Sequence, residues 1–362
     1  MGAYAGMGYK HLIDLNDFTM EEWKAIIDLA LQMHQKPKDF LGLMHGKILG
    51  TLFYEPSTRT QMSFQTAMLR LGGQVIGFDN PQNSSVAKGE NLKDTITIIS
   101  NYADIIAIRH PVEGSAKAAA MHANCPIINA GDGGHLHPTQ TLTDLVTLSI
   151  EKGRTDHLTI GLCGDLKYGR TVHSLISAMR RFPGNRFVLI STPELTVPQF
   201  VKDLIQESEC TYTEISSLAE AIPHLDVLYM TRVQRERFAS LKEYERLKSV
   251  YILDEAKMRL ARPDLCVLHP LPRVDEIEIA VDNDPRALYF KQASYGVYAR
   301  MALILKILTE GGETPLLSGC ALDVPCSNSN CITRREPYIR PYYRENGNIL
   351  TCEFCEHQQK RS

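Results

Sequence analysis

The chain has 362 residues, 44% hydrophobic and 22% charged, with a net charge of −3. This is the balance of an ordinary folded protein, and it excludes whole-chain disorder, collagen and coiled coil. A chain this long buries about three quarters of its unfolded surface without disulfide staples, and its charge supplies no global positive field toward nucleic acid or a membrane.

Met1–His11 lacks a basic segment followed by an apolar run, so no secretory signal is expected. No uncharged apolar stretch reaches the ~20 residues of a membrane span. A first predicted helix, Met20–Gln32, precedes a strand at Ile48–Tyr54, and Ser57-Thr-Arg-Thr follows it directly. The next helix is predicted at Thr60–Leu71. Ser57 can N-cap it, and its free backbone N–H groups and dipole form an anion site. Ser57, Thr58 and Thr60 add hydroxyls, and Arg59 adds a planar cation that chelates phosphate. Taken alone, the same residues also read as a capped helix with a surface arginine.

A strand at Val75–Phe78 leads into the polar loop Asn80–Glu90, where Ser84 and Lys88 read by themselves as solvated surface. A helix at Asn91–Tyr102 and a strand at Asp104–Ile108 follow. Arg109 sits just past that strand, at the carboxyl end where open α/β sheets bind ligands. A solvated loop arginine is the alternative. After a helix at Ser115–Ala123 and a strand at Ile127–Ile128, His137-Pro138 opens a helix at Thr139–Glu151. His137 alone also fits a capping or packing residue. His135 and His137 form a His-x-His pair, but no further metal ligand lies nearby.

Lys152-Gly153-Arg154 closes that helix, and a domain boundary is expected at 151–155. Strands at Thr159–Cys163, Phe187–Ile190, Asp226–Met230 and Cys266–Leu268 then alternate with helices at Arg170–Arg181, Val197–Glu207 and Asp254–Leu260. A last helix, Tyr295–Glu310, ends in Gly311-Gly312, a C-cap signal. Strand–helix alternation predicts parallel sheets, and apolar strands such as Asp226–Met230 fit sheets covered on both faces. The fold class is therefore α/β, with two doubly wound parallel-sheet domains and a small C-terminal zinc-bound module. Gly161, Gly164 and Gly169 miss the G-x-G-x-x-G spacing, so no dinucleotide site is expected.

The tail carries Cys326-x4-Cys331 and, after twenty residues, Cys352-x2-Cys355. Two close thiol pairs predict a tetrahedral structural zinc site, with reduced thiols or disulfides as alternatives. Cys320 falls outside the spacing. So small a segment has little core, and zinc would contribute much of its folding free energy. Residues 326–362 hold six Lys/Arg against four Asp/Glu, so a nucleic-acid-binding ribbon is the lesser reading.

Ser57-Thr-Arg-Thr resembles the carbamoyl-phosphate signature of the aspartate and ornithine transcarbamoylases. Ser84-Ser-Val-Ala-Lys-Gly-Glu, His137-Pro-Thr-Gln, Gly164-Asp-Leu-Lys-Tyr-Gly-Arg-Thr-Val-His, Met230-Thr-Arg-Val-Gln and His269-Pro-Leu-Pro-Arg follow in the family's order. The last three look like aspartate transcarbamoylase in particular, and the resemblance covers about residues 10–310. It implies transfer of a carbamoyl group from carbamoyl phosphate to the amine of L-aspartate, an early step of pyrimidine synthesis. Ornithine or another amine is the alternative acceptor. Phosphate is already a good leaving group, so this chemistry needs cations, hydroxyls and helix termini and no covalent nucleophile or catalytic cofactor.

By resemblance, Ser57, Thr58, Arg59, Thr60, Ser84, Lys88 and Arg109 bind the phosphate end of the substrate. Arg109, His137 and Thr60 stabilise the oxyanion, and Gln140, Leu271 and Pro272 hold the carbamoyl group. Lys88, Arg170, Arg232, Gln234 and Leu271 hold aspartate, while His269 and Arg273 support their turn. The Lys88 loop enters the neighbouring subunit's active site in a homotrimer. The implied domains are 1–152 for carbamoyl phosphate, completed by helix 295–310, and 153–294 for aspartate.

The module over 313–362 resembles the zinc domain of the aspartate transcarbamoylase regulatory chain, through Cys-x-Asn-x-x-Cys-Ile and Cys-x-Phe-Cys-Glu. In the family this domain docks on the catalytic chain and links trimers, so higher assembly is a further expectation. Only Gly311–Pro325 stands where the regulatory chain carries its nucleotide-binding part, so no nucleotide response is expected by that route. Carbamoyl phosphate, L-aspartate, zinc and further copies of the chain are the expected partners, with no nucleic acid or membrane, in the cytoplasm.

Overall fold

The computed structural model describes residues 8–232 and 251–361. The chain divides into two compact units, Met1–Thr139 with Val297–Ser362, and Gln140–Gly296. In the first, β1 (Ile48–Phe53), β2 (Gln74–Phe78), β3 (Ile105–His110) and β4 (Ile127–Asp132) form a sheet of order β2-β1-β3-β4, every pair parallel. The central strands are apolar runs, and Leu49, Leu52, Phe53 and all of Ile105–Ile108 are buried, as expected of strands covered on both faces. The strand order reverses between β1 and β3. At such a switch point the connections leave the carboxyl ends in opposite directions and open a place for a ligand.

The second unit repeats the scheme with β5 (Thr159–Cys163), β6 (Arg186–Ile190), β7 (Thr211–Ile215), β8 (Val227–Met230) and β9 (Cys266–Leu268). Their order is β7-β6-β5-β8-β9, again all parallel, with the switch point between β5 and β8. Strand β7 has no counterpart among the predicted elements. It is a polar edge strand, Thr-Tyr-Thr-Glu-Ile, without a fully buried residue, so it carries no apolar signal.

Two helices contribute to both units. Pro138–Lys152 crosses the division at its second residue, and Tyr289–Glu310 crosses it after Gly296. The latter begins six residues before the predicted Tyr295, because polar Gln292 interrupts the apolar period yet is almost fully buried.

The C-terminal segment is a four-stranded antiparallel sheet of β10 (Cys320–Ala321), β11 (Tyr342–Asn346), β12 (Ile349–Cys352) and β13 (Gln358–Lys360). It shares one hydrophobic core with the first unit. Ile332, Ile339, Tyr343, Leu350 and Phe354 pack in a cluster with Ile106, Ile108, Ala116, Ala119 and Ala120. Fully burying a side chain such as Phe354 contributes about 1.5–3 kcal/mol. The helix Ser115–His122 reads Ser-Ala-Lys-Ala-Ala-Ala-Met-His and buries residues around most of its circumference. A helix covered on more than one side needs small residues and no broad polar face.

Candidate active site and metal centre

At the carboxyl end of β1 the chain turns through Tyr54–Pro56 into the helix Thr58–Arg70. Ser57 occupies the N-cap position, as expected, but its hydroxyl caps no backbone N–H. It donates instead to Thr60 Oγ1 at 3.0 Å. The first-turn amides are thus left without a side-chain cap, which is the condition for binding an external anion. Thr60 is buried, while Thr58 and Arg59 are exposed. Arg59 makes no hydrogen bond or ion pair among the described residues. Burial and the nearby Arg109 charge both push its guanidinium below the ordinary arginine value. A guanidinium without a carboxylate partner of its own, close enough to a second cation to feel its charge, favours an anion beside it.

Arg109 lies at the other side of the switch point, since the β1–β3 register sets Phe53 opposite it. Its Nη2 meets Glu55 Oε1 at 2.5 Å, and its Nη1 lies 3.4 Å from both the Ala130 carbonyl and His137 Nε2. A guanidinium only donates, so in this contact His137 Nε2 is on the accepting side. Nε of Arg109 is buried without a hydrogen-bond partner. A buried unpaired donor beside an anion site is a donor in reserve for a ligand. Gly131 makes room for this arrangement. Its φ is +124°, and a Cβ there would stand 3.1 Å from Arg109 Nη1 and 3.6 Å from the His137 ring.

Ser57, Thr60, Arg59, Arg109 and His137 are therefore brought together around the carboxyl ends of β1 and β3, whereas no hydrogen bond or ion pair joins Ser84 or Lys88 to them. Their loop is folded into two 3-10 turns, Pro81–Asn83 and Ser85–Lys88, capped by Asn80 and Ser84. Ser84 Oγ donates to the Pro81 carbonyl at 2.8 Å. Lys88 is exposed and makes no hydrogen bond or ion pair among the described residues.

In the second unit, Arg170 is the first residue of the helix Arg170–Met179, behind Gly169, and follows β5. Arg232 follows β8, so both arginines sit past strands that flank the switch point. Gln234 lies outside the described residues. Gln140 donates its Nε2 to Asp144 Oδ1 at 2.8 Å. The turn His269–Arg273 contains a cis Leu271–Pro272 bond. The Leu271 N–H donates to His269 Nδ1 at 2.7 Å, and His269 Nε2 donates to Glu276 at 2.7 Å. Arg273 is clamped by Asp282 and donates to the Tyr289 hydroxyl at 3.0 Å. Both His269 and Arg273 thus have partners that hold the turn.

The four tail cysteines converge, with all Sγ atoms within 4.8 Å of one another and all four residues buried. Cys326 and Cys355 are 3.6 Å apart and Cys331 and Cys352 are 3.8 Å apart. A disulfide needs about 2.05 Å. Four sulfurs at about 2.3 Å from a tetrahedral zinc stand about 3.8 Å from one another, so the set fits a structural zinc ion. Contact with the Cys326 thiol holds Cys331 well below the thiol range and Cys355 down to about 7. Cys320 is exposed and outside the cluster.

Loops of the metal module reach the segment that follows Arg109. Asn328 Nδ2 donates to Glu113 at 2.6 Å, and Asn330 Nδ2 donates to the Pro111 carbonyl at 3.1 Å. Gly114, at φ +84°, has no room for a Cβ, because the Phe354 backbone oxygen would lie 2.8 Å away. His135 bridges Asp132 at 3.2 Å and Glu356 at 3.3 Å. Burial opposes its protonation, but the two carboxylates outweigh it and raise its pKa well above the ordinary histidine value. Glu55, Gly131 and His135 carry no assignment in the sequence reading. Only strand register could have pointed to Glu55, which lies two residues beyond the partner of Arg109.

Three family models match the chain. Residues 10–149 match the "Aspartate/ornithine carbamoyltransferase, carbamoyl-P binding domain", and 156–307 the "Asp/Orn binding domain" of the same family. Residues 321–362 match the "Aspartate carbamoyltransferase regulatory chain, metal binding domain". A Clostridium perfringens "Aspartate carbamoyltransferase catalytic subunit" is 59% identical over 302 residues, 83% of this chain and 98% of that one. The catalytic subunit of M. jannaschii aspartate transcarbamoylase is 47% identical with a TM-score of 0.79, covering 83% of this chain and 98% of that one. Aspartate transcarbamoylase from Trypanosoma cruzi, solved with carbamoyl phosphate and aspartate, is 38% identical with a TM-score of 0.74, covering 84% and 98%.

Proposed function

The chain belongs to the aspartate/ornithine carbamoyltransferase family, and we infer from this that it is an aspartate carbamoyltransferase fused to a zinc module. It transfers the carbamoyl group of carbamoyl phosphate to the amine of L-aspartate, giving N-carbamoyl-L-aspartate and phosphate, an early step of pyrimidine biosynthesis. The observation that carries this reading is 59% identity over 98% of a relative named for that activity.

Each unit supports a share of the work. In the first, the uncapped amides at Thr58–Thr60, the hydroxyls of Ser57 and Thr60, Arg59 and the spare Nε of Arg109 receive the phosphate group. Arg109, His137 and Thr60 stabilise the oxyanion that forms when the amine attacks the carbonyl carbon. Donors already in place cost no reorganisation during the reaction. In the second, Gln140 and the carbonyls of Leu271 and Pro272 take the carbamoyl –NH2, and Arg170, Arg232 and Gln234 take the carboxylates of aspartate. Two arginines suit a dianionic amino acid better than ornithine, whose ammonium group needs an acceptor. Departing phosphate carries the negative charge away, so the chain needs no covalent nucleophile.

The exposed, unpaired Lys88 on its capped turns supports a homotrimer in which this loop completes a neighbouring subunit's site. Nine cysteines held as thiols, four of them grouped for a metal, support a reducing cytoplasm. Higher assembly through the zinc module belongs to the same reading. Product formation from carbamoyl phosphate with aspartate and with ornithine tests the assignment. Aspartate is the expected acceptor, and a preference for ornithine would overturn it.

A further inference from the structure

Asp144 lies one helical turn beyond Gln140 on Pro138–Lys152 and is fully buried. Its Oδ1 accepts two N–H groups, from Gln140 Nε2 at 2.8 Å and from Gln292 Nε2 at 2.6 Å. An amide side chain can turn either end to a neighbour, so its orientation has to be read from partners of known polarity. Here the chain of partners begins at a group that cannot be turned. The backbone N–H of His269 can only donate, and it meets Gln292 Oε1 at 2.9 Å. Gln292 therefore presents its –NH2 to Asp144. Asp144 Oδ1 must then be an acceptor, and Gln140 must turn its own –NH2 toward it. The carbonyl oxygen of Gln140 is the end left for a ligand.

The same network reaches the turn that carries Leu271. His269, whose backbone orients Gln292, also accepts the Leu271 N–H on its ring Nδ1 and donates from Nε2 to buried Glu276. Tyr229, fully buried, sets its hydroxyl beside Asp144 and Thr171. One connected set of side chains thus determines the hydrogen-bond polarity of Gln140 and holds the backbone of Leu271.

We propose that Asp144 is a positioning residue that fixes Gln140 as a hydrogen-bond acceptor, and that this polarity selects an acyl phosphate bearing –NH2 over one bearing a methyl group. The proposal rests on the assignment of Gln140 to the carbamoyl group. A carbamoyl –NH2 offers two donors to the acceptors Gln140 Oε1 and the carbonyls of Leu271 and Pro272. A methyl group of the same size offers none and leaves those acceptors dry and unpaired. Without Asp144 the Gln140 amide is free to turn over, and its –NH2 then opposes the carbamoyl –NH2 while tolerating the methyl group.

The test compares binding of carbamoyl phosphate and acetyl phosphate to the full-length chain and to Asp144→Ala and Asp144→Asn. In Asp144→Ala the affinity for carbamoyl phosphate should fall about tenfold while that for acetyl phosphate stays within about twofold. Asp144→Asn keeps an oxygen that accepts from both amides, so it should restore the wild-type ratio. Should Asp144→Ala fail to fold, Gln292→Leu decides, because it removes the orienting donor and should lower the ratio in the same direction. Equal losses for both ligands, or an unchanged ratio, overturn the proposal. A wild-type chain that does not bind carbamoyl phosphate overturns the functional reading as well, so the two failures are told apart.

Discussion

The backbone of Glu113, four residues beyond Arg109, pairs with that of the zinc ligand Cys331 in a parallel bridge. The Glu113 N–H donates to the Asn330 carbonyl at 3.1 Å, and the Glu113 carbonyl accepts the Ile332 N–H at 2.9 Å. A zinc ion held by Cys326, Cys331, Cys352 and Cys355 would therefore fix the ends of a knuckle that is hydrogen-bonded to the loop behind a proposed active-site arginine. Removal of the metal should unfold the module, since structural zinc contributes about 10–16 kcal/mol in isolated zinc-finger peptides. The expected readout is loss of hydrogen-exchange protection at the Glu113 and Ile332 amides after chelation. Unchanged protection in metal-free protein would show that the shared hydrophobic core holds the module alone.

Gly131→Ala should damage the site without touching a charged group. The positive φ costs about 1–3 kcal/mol for a residue with a side chain. The new Cβ also presses on Arg109 Nη1 from 3.1 Å. With Arg109 as the proposed oxyanion donor, displacing it by about 1 Å lowers kcat about 10²-fold. Arg109→Gln should cost about 10²–10³-fold. Steady-state kinetics of the two variants check this, and a Gly131→Ala enzyme with wild-type kcat would show that Arg109 tolerates displacement.

His110 should shape the acid limb of the stability curve. Burial pushes its pKa down to about 4, with Asp132 opposing only in part. Its Nδ1 accepts the Val112 N–H at 3.1 Å, which suits a neutral ring. Between pH about 6.5 and 4 the unfolded chain binds a proton at this residue and the folded chain does not. Stability from His110 is thus present above that window and falls as pH drops through it, by about 3 kcal/mol in full. Urea unfolding at pH 7 and 4.5 should show a smaller acid loss in His110→Asn than in the wild type. Identical losses would contradict a buried neutral His110.

Thiol chemistry should separate one cysteine from the other eight. Cys320 is exposed, while the remaining cysteines are buried. A soluble thiol reagent should modify one group per native chain quickly, without releasing zinc. Cys320→Ser should abolish that fast phase. Fast modification of several thiols together with zinc release would show that the metal cluster is open to solvent.

Much of the site was legible because its parts are contiguous. Ser57–Thr60 follows a strand and opens a helix within four residues, and the cysteine pairs have spacings that only a few structures require. Arg170 and Arg232 could be placed past strand ends from the apolar pattern alone, whereas Arg109, expected just past its strand, is the penultimate residue of β3, because backbone pairing continues beyond the apolar run. The period failed where burial is polar or absent. Edge strand β7 has no fully buried residue, and buried Gln292 concealed the first turns of the helix Tyr289–Glu310. Ser57 was legible as an N-cap position, but the bond of its hydroxyl to Thr60 was not, because both alternatives lie within one turn.

By itself the sequence determined the α/β class, the fusion of a cysteine-rich module to an enzyme, and the candidate residues proposed for phosphate, carboxylate and metal. These follow from patterns that span a few residues and from local chemistry. Tertiary structure alone decided which polar groups face each other. The His135–Glu356 pair joins residues 221 apart, and Gln292 meets Asp144 across 148. Such pairings depend on strand order and on how buried donors and acceptors find partners, and water-free interiors leave them few alternatives. The polarity of Gln140 and the setting of Arg109 are properties of that packing.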